Sequence, residues 1–302
     1  FLYAIGEVSE TNGQPGGAVG AYSINQEDGS LKYINTESTV GPGPCHLSVD
    51  AEGQYVLVAN YGGGSVAVLP TKDDGALLEA SDFIQHEGSS VNPDRQQEPH
   101  AHSIMIAPNN RYAYAPDLGM DKIMIYNLDL EKGKLQPNSQ PYQSVDPGQG
   151  PRHFDFHPNN KFAFVINEIG NTIVSYNYNA DGGTLEPTGS VPTLPAEFTG
   201  TSHTADIHVH PNGKFLYGSN RGHDSLVICA IDQNTGQLDV VGHVPTGGKN
   251  PRNFGIDPSG SFLLAANQDT GDIYTFKIKI KHFIFYNPIL KSSRQRCCRQ
   301  QP

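Results

Sequence analysis

The sequence has no tryptophan, and only 4 of its 302 residues are cysteine. Cys45 and Cys229 lie in strand-like segments, and Cys297-Cys298 lie near the end; this spacing predicts neither a disulfide framework nor a zinc site. The sequence also lacks an apolar run long enough to span a membrane, and no segment resembles a signal peptide. These absences make a cytoplasmic location and no membrane partner the default expectation, although the sequence begins without Met.

Basic residues are also few, with 20 Lys and Arg against 31 Asp and Glu, so the net charge is -11. This balance gives no electrostatic support for a nucleic-acid partner. It does not exclude a small anionic substrate, because a local group of arginines can override the sign of the whole chain.

What the sequence does contain is a repeat about every fifty residues, a period typical of solenoids, propellers and arrays. Each copy has two short apolar runs joined by a Pro, Asn or Gly turn, and it closes on Asn or Asp. Residues 1–7 match only the second half of a copy. The complete copies are 44–60, 101–117, 151–167, 204–220 and 251–267.

Period-two alternation interrupted by turn residues predicts a β-hairpin in each copy. A third apolar run follows, and a weaker fourth strand is predicted after it, as at Ala76–Phe83. Four short strands per repeat, with no amphipathic helical run, predict an all-β chain of β-propeller blades. The third runs are 65–70, 122–128, 172–178 and 225–231.

Two alignment columns of this repeat carry side chains that differ between copies. In a hairpin, the start of the first strand lies beside the end of the second. If the first strand of each hairpin is innermost, both columns surround one concavity, which is the default position for a site. The first column is Cys45, His102, Arg152, Ala205 and Arg252, and the second is Glu7, Tyr61, Leu118, Glu168, Arg221 and Gln268.

Structural interpretations compete with a functional one at several positions. Arg152 and Glu168 can form an ion pair within their own blade. His157 and His210 precede Pro at the hairpin turns, and we expect them to face solvent. Asp206 and His208 alternate on one strand, which leaves a ligand role open. The closing column is expected to cap strand ends through side-chain hydrogen bonds to the backbone; it comprises Asn60, Asp117, Asn167, Asn220 and Asn267.

The repeat pattern stops after Phe276, and residues 277–302 carry a basic cluster and a cysteine pair unlike anything before them. We therefore expect one propeller domain over 1–276 and an atypical tail over 277–302 that is foreign to the fold. The alternative is that KIKIKHFIFY forms a genuine extra strand.

The motifs GPGPCH, ANYGGGSV, PHAHS, PDLG, GPRHFDFHPN, INE, SNRGHDS, PRNF and ANQD occur in this order. The chain thereby resembles the lactonase-type seven-bladed propellers, which include the propeller form of 6-phosphogluconolactonase and the fungal carboxy-cis,cis-muconate cyclases. The resemblance covers roughly residues 1–276. With only six repeat frames present, it implies a further blade before Phe1 and missing closing strands. It implies neither a metal nor another cofactor.

Resemblance to the cyclase branch of this family also implies a site of one His, two Arg and one Glu, which match His102, Arg152, Glu168 and Arg221. Their neighbours include further candidates for substrate binding, namely His100, His153 and Arg252.

Lactone hydrolysis needs a base for water, a donor for the developing oxyanion and an acid for the leaving ring oxygen. Glu168 or His102 is expected to handle the proton, and Arg152 or Arg221 to stabilise the oxyanion. Arg252 is a candidate for holding a phosphate, since guanidinium groups bind oxyanions in bidentate fashion. No G-x-S-x-G motif is present, so no covalent nucleophile is predicted.

The expected reaction is hydrolysis of a sugar lactone, most simply 6-phospho-D-glucono-1,5-lactone in the pentose phosphate route. Three alternatives remain open: a muconate-lactonising enzyme, a metal-dependent gluconolactonase and a non-catalytic interaction propeller. Against the last, the repeats lack the WD signature, since tryptophan is absent. Fold alone does not decide among them.

Overall fold

The computed structural model describes residues 1–8, 10–11, 14–279 and 291–293, and every regular element among them is a β-strand. Since these residues contain no helix, no apolar helix of membrane-spanning length occurs among them. The all-β prediction is therefore confirmed. The first strands are β1 (Leu2–Gly6), β2 (Glu10–Thr11), β3 (Gln14–Pro15), β4 (Ala18–Ile24) and β5 (Leu31–Ser38). β2 pairs with β3, and the others form a three-stranded sheet in the order β1-β4-β5.

Five four-stranded sheets follow in the described residues, each with its strands in chain order. The first sheet consists of β6 (Pro44–Val49), β7 (Tyr55–Asn60), β8 (Ser65–Pro70) and β9 (Asp82–Gln85). The second sheet consists of β10 (Met105–Ile106), β11 (Tyr112–Asp117), β12 (Lys122–Asp129) and β13 (Lys134–Ser144). The third sheet consists of β14 (Pro151–Phe156), β15 (Phe162–Asn167), β16 (Thr172–Asn179) and β17 (Thr184–Pro192). The fourth sheet consists of β18 (His203–Val209), β19 (Phe215–Arg221), β20 (Ser225–Ile231) and β21 (Leu238–Pro245). The last is β22 (Pro251–Ile256), β23 (Phe262–Asn267), β24 (Asp272–Lys277), β25 (Lys291–Ser293).

The predicted hairpins correspond to the first two strands of these five sheets, and the third apolar runs to the third strands. Each hairpin turn contains a Gly or Asn with positive φ, because the chain reverses there through the left-handed region. The predicted fourth strand at Ala76–Phe83 is wrong in its bounds. The strand is Asp82–Gln85, since Thr71 and Leu77 form only an isolated bridge before it. The residues with positive φ in the five hairpin turns are Gly53, Asn110, Asn160, Gly213 and Gly260.

The chain divides into two compact units, of which the first is Phe1–Phe154 with Asn179–Thr184. Its core lies between neighbouring sheets, because side chains alternate along each strand. In β7, Val58 packs in a cluster with residues of β4, whereas the adjacent Leu57 packs with residues of β11 and β12. The strand β7 therefore packs against the neighbouring sheets on both of its faces and stabilises both contacts.

The second unit is Asp155–Tyr178 with Leu185–Pro302, and it follows the same plan. In β19, Leu216 packs with residues of β15, whereas Tyr217 packs with Phe254 of β22. Within each unit, successive apolar residues of such a strand therefore pack alternately into the hydrophobic clusters on its two sides.

The expectation that His157 and His210 face solvent is wrong, since only 3% and 2% of their surfaces are exposed. His157 Nε2 donates to the carbonyl oxygen of Gly213 at 2.7 Å, and His210 Nε2 to that of Gly260 at 2.9 Å. Each histidine therefore joins its own hairpin turn to that of the next sheet. A Cβ at Gly213, whose φ is +71°, would lie 2.7 Å from His157 Cε1, so the contact also requires glycine.

Part of the atypical tail is described. Lys291–Ser293 form β25, which pairs with β24 through Asp272 and Ser293. Most of the alternative strand KIKIKHFIFY lies outside the described residues. The domain boundary at 276 stays a prediction.

Candidate functional site

The first alignment column coincides with breaks in strand register. Pairing shifts between Pro44 and His46 in β6, between Thr204 and Ile207 in β18, and between Pro251 and Asn253 in β22. These breaks are β-bulges, which turn side chains away from the regular alternation and are common next to active sites. The column residues of these three strands, Cys45, Ala205 and Arg252, lie inside the breaks.

In the first unit, His102 is buried, with 4% of its surface exposed, and its amide donates to the carbonyl of Pro116 at 2.9 Å. Its ring contacts Tyr61 edge-on, with ring centroids 5.0 Å apart, and His153, with centroids 5.7 Å apart. The Sγ atom of Cys45 lies 3.6 Å from His102 Nδ1. Residues of both columns therefore fix the orientation of this imidazole.

Arg152 is one of the largest buried side chains in the described residues, with 2% of its surface exposed. Its Nη1 lies 3.0 Å from Nε2 of His153. A guanidinium can only donate, so His153 Nε2 accepts and its ring proton lies on Nδ1. The ring of His153 also contacts that of His46, with centroids 5.2 Å apart. This part of the candidate site combines a buried cation with one imidazole of defined tautomer.

His100 lies on the other side of Tyr61. The two rings stack with centroids 4.5 Å apart, and His100 Nδ1 donates to the Tyr61 carbonyl oxygen at 3.0 Å. The backbone amide of His100 donates to Asp117 Oδ1 at 2.8 Å. His100, His102 and His153 thus belong to one continuous group in the first unit, with Tyr61 between the first two; we call this group the histidine cluster.

In the second unit, Arg221 Nη2 lies 2.8 Å from Glu168 Oε2, and 15% and 5% of these side chains are exposed. The same guanidinium donates to the carbonyl of Thr204 at 2.8 Å, which orients it toward β18. Two second-column residues from successive sheets therefore form a largely buried ion pair.

Arg252 is partly exposed in its bulge on β22. Its neighbour Asn253 donates to Asp206 Oδ2 at 2.7 Å, and His208 Nε2 lies 3.1 Å from the same oxygen. The alternation of Asp206 and His208 thus forms a hydrogen-bonded network between strands. Partial burial opposes the charge of His208, but the carboxylates of Asp206 and Asp155 outweigh it and raise the pKa of His208 to about 9. In the described part of the chain, no group of three or more His, Cys, Asp or Glu is placed to bind a metal ion.

The closing column has the structural role predicted for it. Asn60 Nδ2 donates to the carbonyl of Thr39 at 3.3 Å and to Ser65 Oγ at 3.1 Å, and Asn220 Nδ2 makes the corresponding bonds to Thr193 and Ser225. Each side chain joins the end of one strand to the start of the next and to the preceding sheet. The column therefore supports the candidate residues that flank it.

The candidate residues thus fall into two groups, each within one unit. The histidine cluster with Arg152 lies in the first unit, and the Glu168–Arg221 pair lies in the second, which also contains Arg252. Sequence reasoning placed Tyr61 in a column but gave it no function. It missed Arg95, whose Nη2 donates to the Tyr61 hydroxyl at 3.3 Å, because Arg95 lies outside the repeat frame.

Comparison with known proteins agrees with this architecture. The family model described as "Lactonase, 7-bladed beta-propeller" matches residues 1–282. A 6-phosphogluconolactonase of Bacillus subtilis is 38% identical over 277 residues, which cover 92% of this chain and 76% of that protein.

Two solved structures have the same fold. A Bacteroides fragilis protein is 36% identical, with a TM-score of 0.89 and coverage of 97% of this chain and 81% of its own. A periplasmic gluconolactonase of Pseudomonas aeruginosa is 30% identical, with a TM-score of 0.89 and coverage of 96% and 81%. The predicted propeller fold is confirmed, and the chain belongs to the seven-bladed β-propeller lactonase family.

Proposed function

We propose that this protein hydrolyses 6-phospho-D-glucono-1,5-lactone to 6-phosphogluconate, the lactone-opening step of the pentose phosphate route. The main support is that the residues expected for lactone chemistry are buried and held by specific partners, as in the Glu168–Arg221 pair. The name and 38% identity of the Bacillus subtilis relative support the choice of substrate.

Within the second unit, we propose that Glu168 takes the proton from the attacking water. A general base must be held within reach of the proton that it takes, and the guanidinium of Arg221, 2.8 Å from Glu168 Oε2, holds the carboxylate in place. Arg221 is in turn anchored by the Thr204 carbonyl, so the pair is oriented before substrate arrives. We therefore propose that Arg221 positions Glu168 and that the oxyanion is stabilised by another group.

Within the first unit, Arg152 is the proposed donor to the negative charge that develops on the carbonyl oxygen. A buried guanidinium fixed against His153 requires little reorganisation, and such preorganised donors are typically worth about 10²–10³ in turnover. His102 is the proposed acid for the ring oxygen, which leaves as an alcohol and needs a proton. His100, His153 and Arg252 stay candidates for substrate binding.

The test is a direct assay of the purified protein on 6-phosphogluconolactone, with spontaneous hydrolysis subtracted. We expect hydrolysis well above the uncatalysed rate, and a rate equal to the blank would refute the proposal. A parallel assay on a carboxymuconolactone tests the ring-forming alternative. Full activity after dialysis against a chelator is expected, because the proposed chemistry uses only side chains.

A phosphorylated substrate also supports a cytoplasmic location, because phosphate esters do not cross membranes unaided. Fractionation of the native cells tests this point; recovery of the protein outside the cytoplasm would contradict it.

A further inference from the structure

The connection between β17 and β18, residues 193–202, lies against the turn that follows β19. Ser202 Oγ donates to the carbonyl oxygen of Arg221 at 2.8 Å, and the ring of Phe198 contacts that of His223 edge-on, with centroids 4.8 Å apart. Connections much longer than their counterparts are often functional, since a hairpin repeat does not need them. The loop and the turn therefore meet at the residue that orients the proposed base. The shorter counterparts are 39–43, 145–150 and 246–250.

The imidazole of His223 is specific to one copy of the repeat, so the blade architecture does not require it. Its side chain is partly exposed and lies between two aromatic rings, those of Phe198 and of His243, the latter with its centroid 5.9 Å away. His243 is fixed in turn, because its Nε2 donates to the carbonyl oxygen of Thr193 at 2.8 Å. The His223 ring is thereby held in one orientation two residues after Arg221. The equivalent residues of the other copies are Gly63, Met120, Gly170 and Thr270.

The hydrogen bonds of Ser225 determine which nitrogen of His223 carries the proton. Asn220 Nδ2 donates to the Thr193 carbonyl at 2.8 Å and to Ser225 Oγ at 3.3 Å. The buried Ser225 hydroxyl must also place its own proton, and His223 Nδ1, 2.6 Å away, is its remaining partner among the described residues. Nδ1 therefore accepts this bond, and the ring proton lies on Nε2.

The Nε2 proton of His223 is available to a ligand. In the part of the chain that the structure describes, no protein group accepts it, and the ring is partly exposed. Burial and the nearby His243 lower the pKa of His223 below its usual value. Asp224 and Glu197 oppose this shift without cancelling it. The imidazole is therefore neutral near pH 7 and presents one fixed N–H donor.

We infer that His223 Nε2 donates a hydrogen bond to a hydroxyl group of the bound sugar lactone. The inference rests on the proposed function and deepens it, because it adds a substrate-binding residue on the turn that begins at Arg221. A neutral N–H donor suits a neutral hydroxyl oxygen, whereas a guanidinium is the better partner for an anionic group. Since the ring is already oriented, little conformational freedom is lost when the substrate binds.

The experiment compares the wild-type protein with His223→Phe and His223→Gln on 6-phospho-D-glucono-1,5-lactone. Phenylalanine keeps a ring between Phe198 and His243 but has no N–H, so kcat/KM is expected to fall about 3–10-fold. Most of this loss is expected in KM, because a hydroxyl contact is made equally in the ground and transition states. Glutamine restores an N–H donor near the position of Nε2, so His223→Gln is expected to retain most of the wild-type value.

A role in packing alone predicts the opposite order, with His223→Phe close to the wild type and His223→Gln impaired. That order, or wild-type KM in His223→Phe, would overturn the inference. The matched control is His243→Gln, which keeps a donor for the Thr193 carbonyl and is expected to leave kcat and KM unchanged. A loss in this control as large as that in His223→Phe would also overturn the inference, because it would assign the effect to local packing.

A second readout separates this inference from the proposed function. The ring nitrogens of His223 are observed by ¹⁵N NMR and assigned by their absence in His223→Phe. An Nε2–H tautomer is expected, with a signal that shifts on addition of 6-phosphogluconate and not of inorganic phosphate, which carries no sugar hydroxyl. If the wild type does not hydrolyse the lactone, the proposed function fails, and the NMR titration still decides whether His223 binds a polyhydroxylated ligand. An Nδ1–H tautomer, or an Nε2 signal unchanged at every concentration of 6-phosphogluconate, refutes the inference.

Discussion

Arg221 Nη2 and Glu168 Oε2 lie 2.8 Å apart in a largely buried pair that joins the ends of β15 and β19. The two residues occupy the same column of successive repeats, where the other copies have Glu7, Tyr61, Leu118 and Gln268, so a Glu is followed by an Arg in the next copy only here. A structural feature of every blade would use the same residue type in every copy. The pair is therefore specific to one place in the fold, which is the property expected of a functional site.

Glu168→Gln keeps the size and most hydrogen-bonding capacity of the side chain but removes the carboxylate. If Glu168 is the general base, kcat is expected to fall about 10²–10⁴-fold in a steady-state lactonase assay. Glu186→Gln, an exposed substitution on β17 of the same unit, is the control and should retain wild-type activity. Wild-type turnover in Glu168→Gln, with an unchanged melting temperature, would remove the residue from the mechanism.

Arg152→Lys keeps the positive charge and most of the buried volume but loses the planar fork that contacts His153. A fall in kcat of about 10²–10³-fold is expected, because one amine cannot hold the imidazole and the developing oxyanion in the same geometry. Arg111→Lys, a conservative change of an exposed arginine, is the matched control. Circular dichroism of both variants checks the fold. Equal kcat values for Arg152→Lys and the wild type would show that the fork is not needed.

Much of the fold could be predicted because the same pattern of strands and turns recurs in every repeat. Alternation located the hairpins, and the recurrence of Asn60 and its equivalents correctly indicated a structural cap. The fourth strand was misplaced because Ala76–Phe83 lies in a stretch that departs from the repeat. His157 was misjudged because the Pro-Asn turn beside it is exposed, whereas its own ring packs over the next hairpin turn.

The site could be predicted only in part. His102 and Arg152 could be named as candidates because their column varies while the frame stays constant. The contact of Arg95 with Tyr61 gave no signal, since it depends on how the loop 86–104 folds back and no periodicity governs that loop. The tautomer of His153 likewise depends on a side-chain contact that exists only in three dimensions.

A buried Asp–His–Tyr chain is expected to stabilise the first unit. His86 Nδ1 donates to Asp117 Oδ2 at 2.6 Å, and Nε2 lies 2.8 Å from the Tyr126 hydroxyl, whose pKa is raised by burial and by Asp117. Tyr126→Phe leaves a buried ring nitrogen without its donor, so the free energy of unfolding should fall by about 1–3 kcal/mol in urea titrations. Tyr142→Phe, at an exposed tyrosine of the same sheet, is the control. Equal stabilities would mean that another group satisfies His86.

The stability of the second unit should depend on pH through His208. The carboxylates of Asp206 and Asp155 outweigh partial burial and raise the pKa of His208 from 6.5 to about 9, so the folded state binds this proton more tightly than the unfolded chain. The resulting stabilisation is present in full below about pH 6.5 and is lost as the pH rises through about 9. His208→Gln, which keeps a hydrogen-bond donor near Asp206 but cannot titrate, should show a smaller fall in unfolding free energy over this interval. Parallel pH profiles for the wild type and His208→Gln, measured by urea unfolding at constant ionic strength, would rule out His208 as the titrating group.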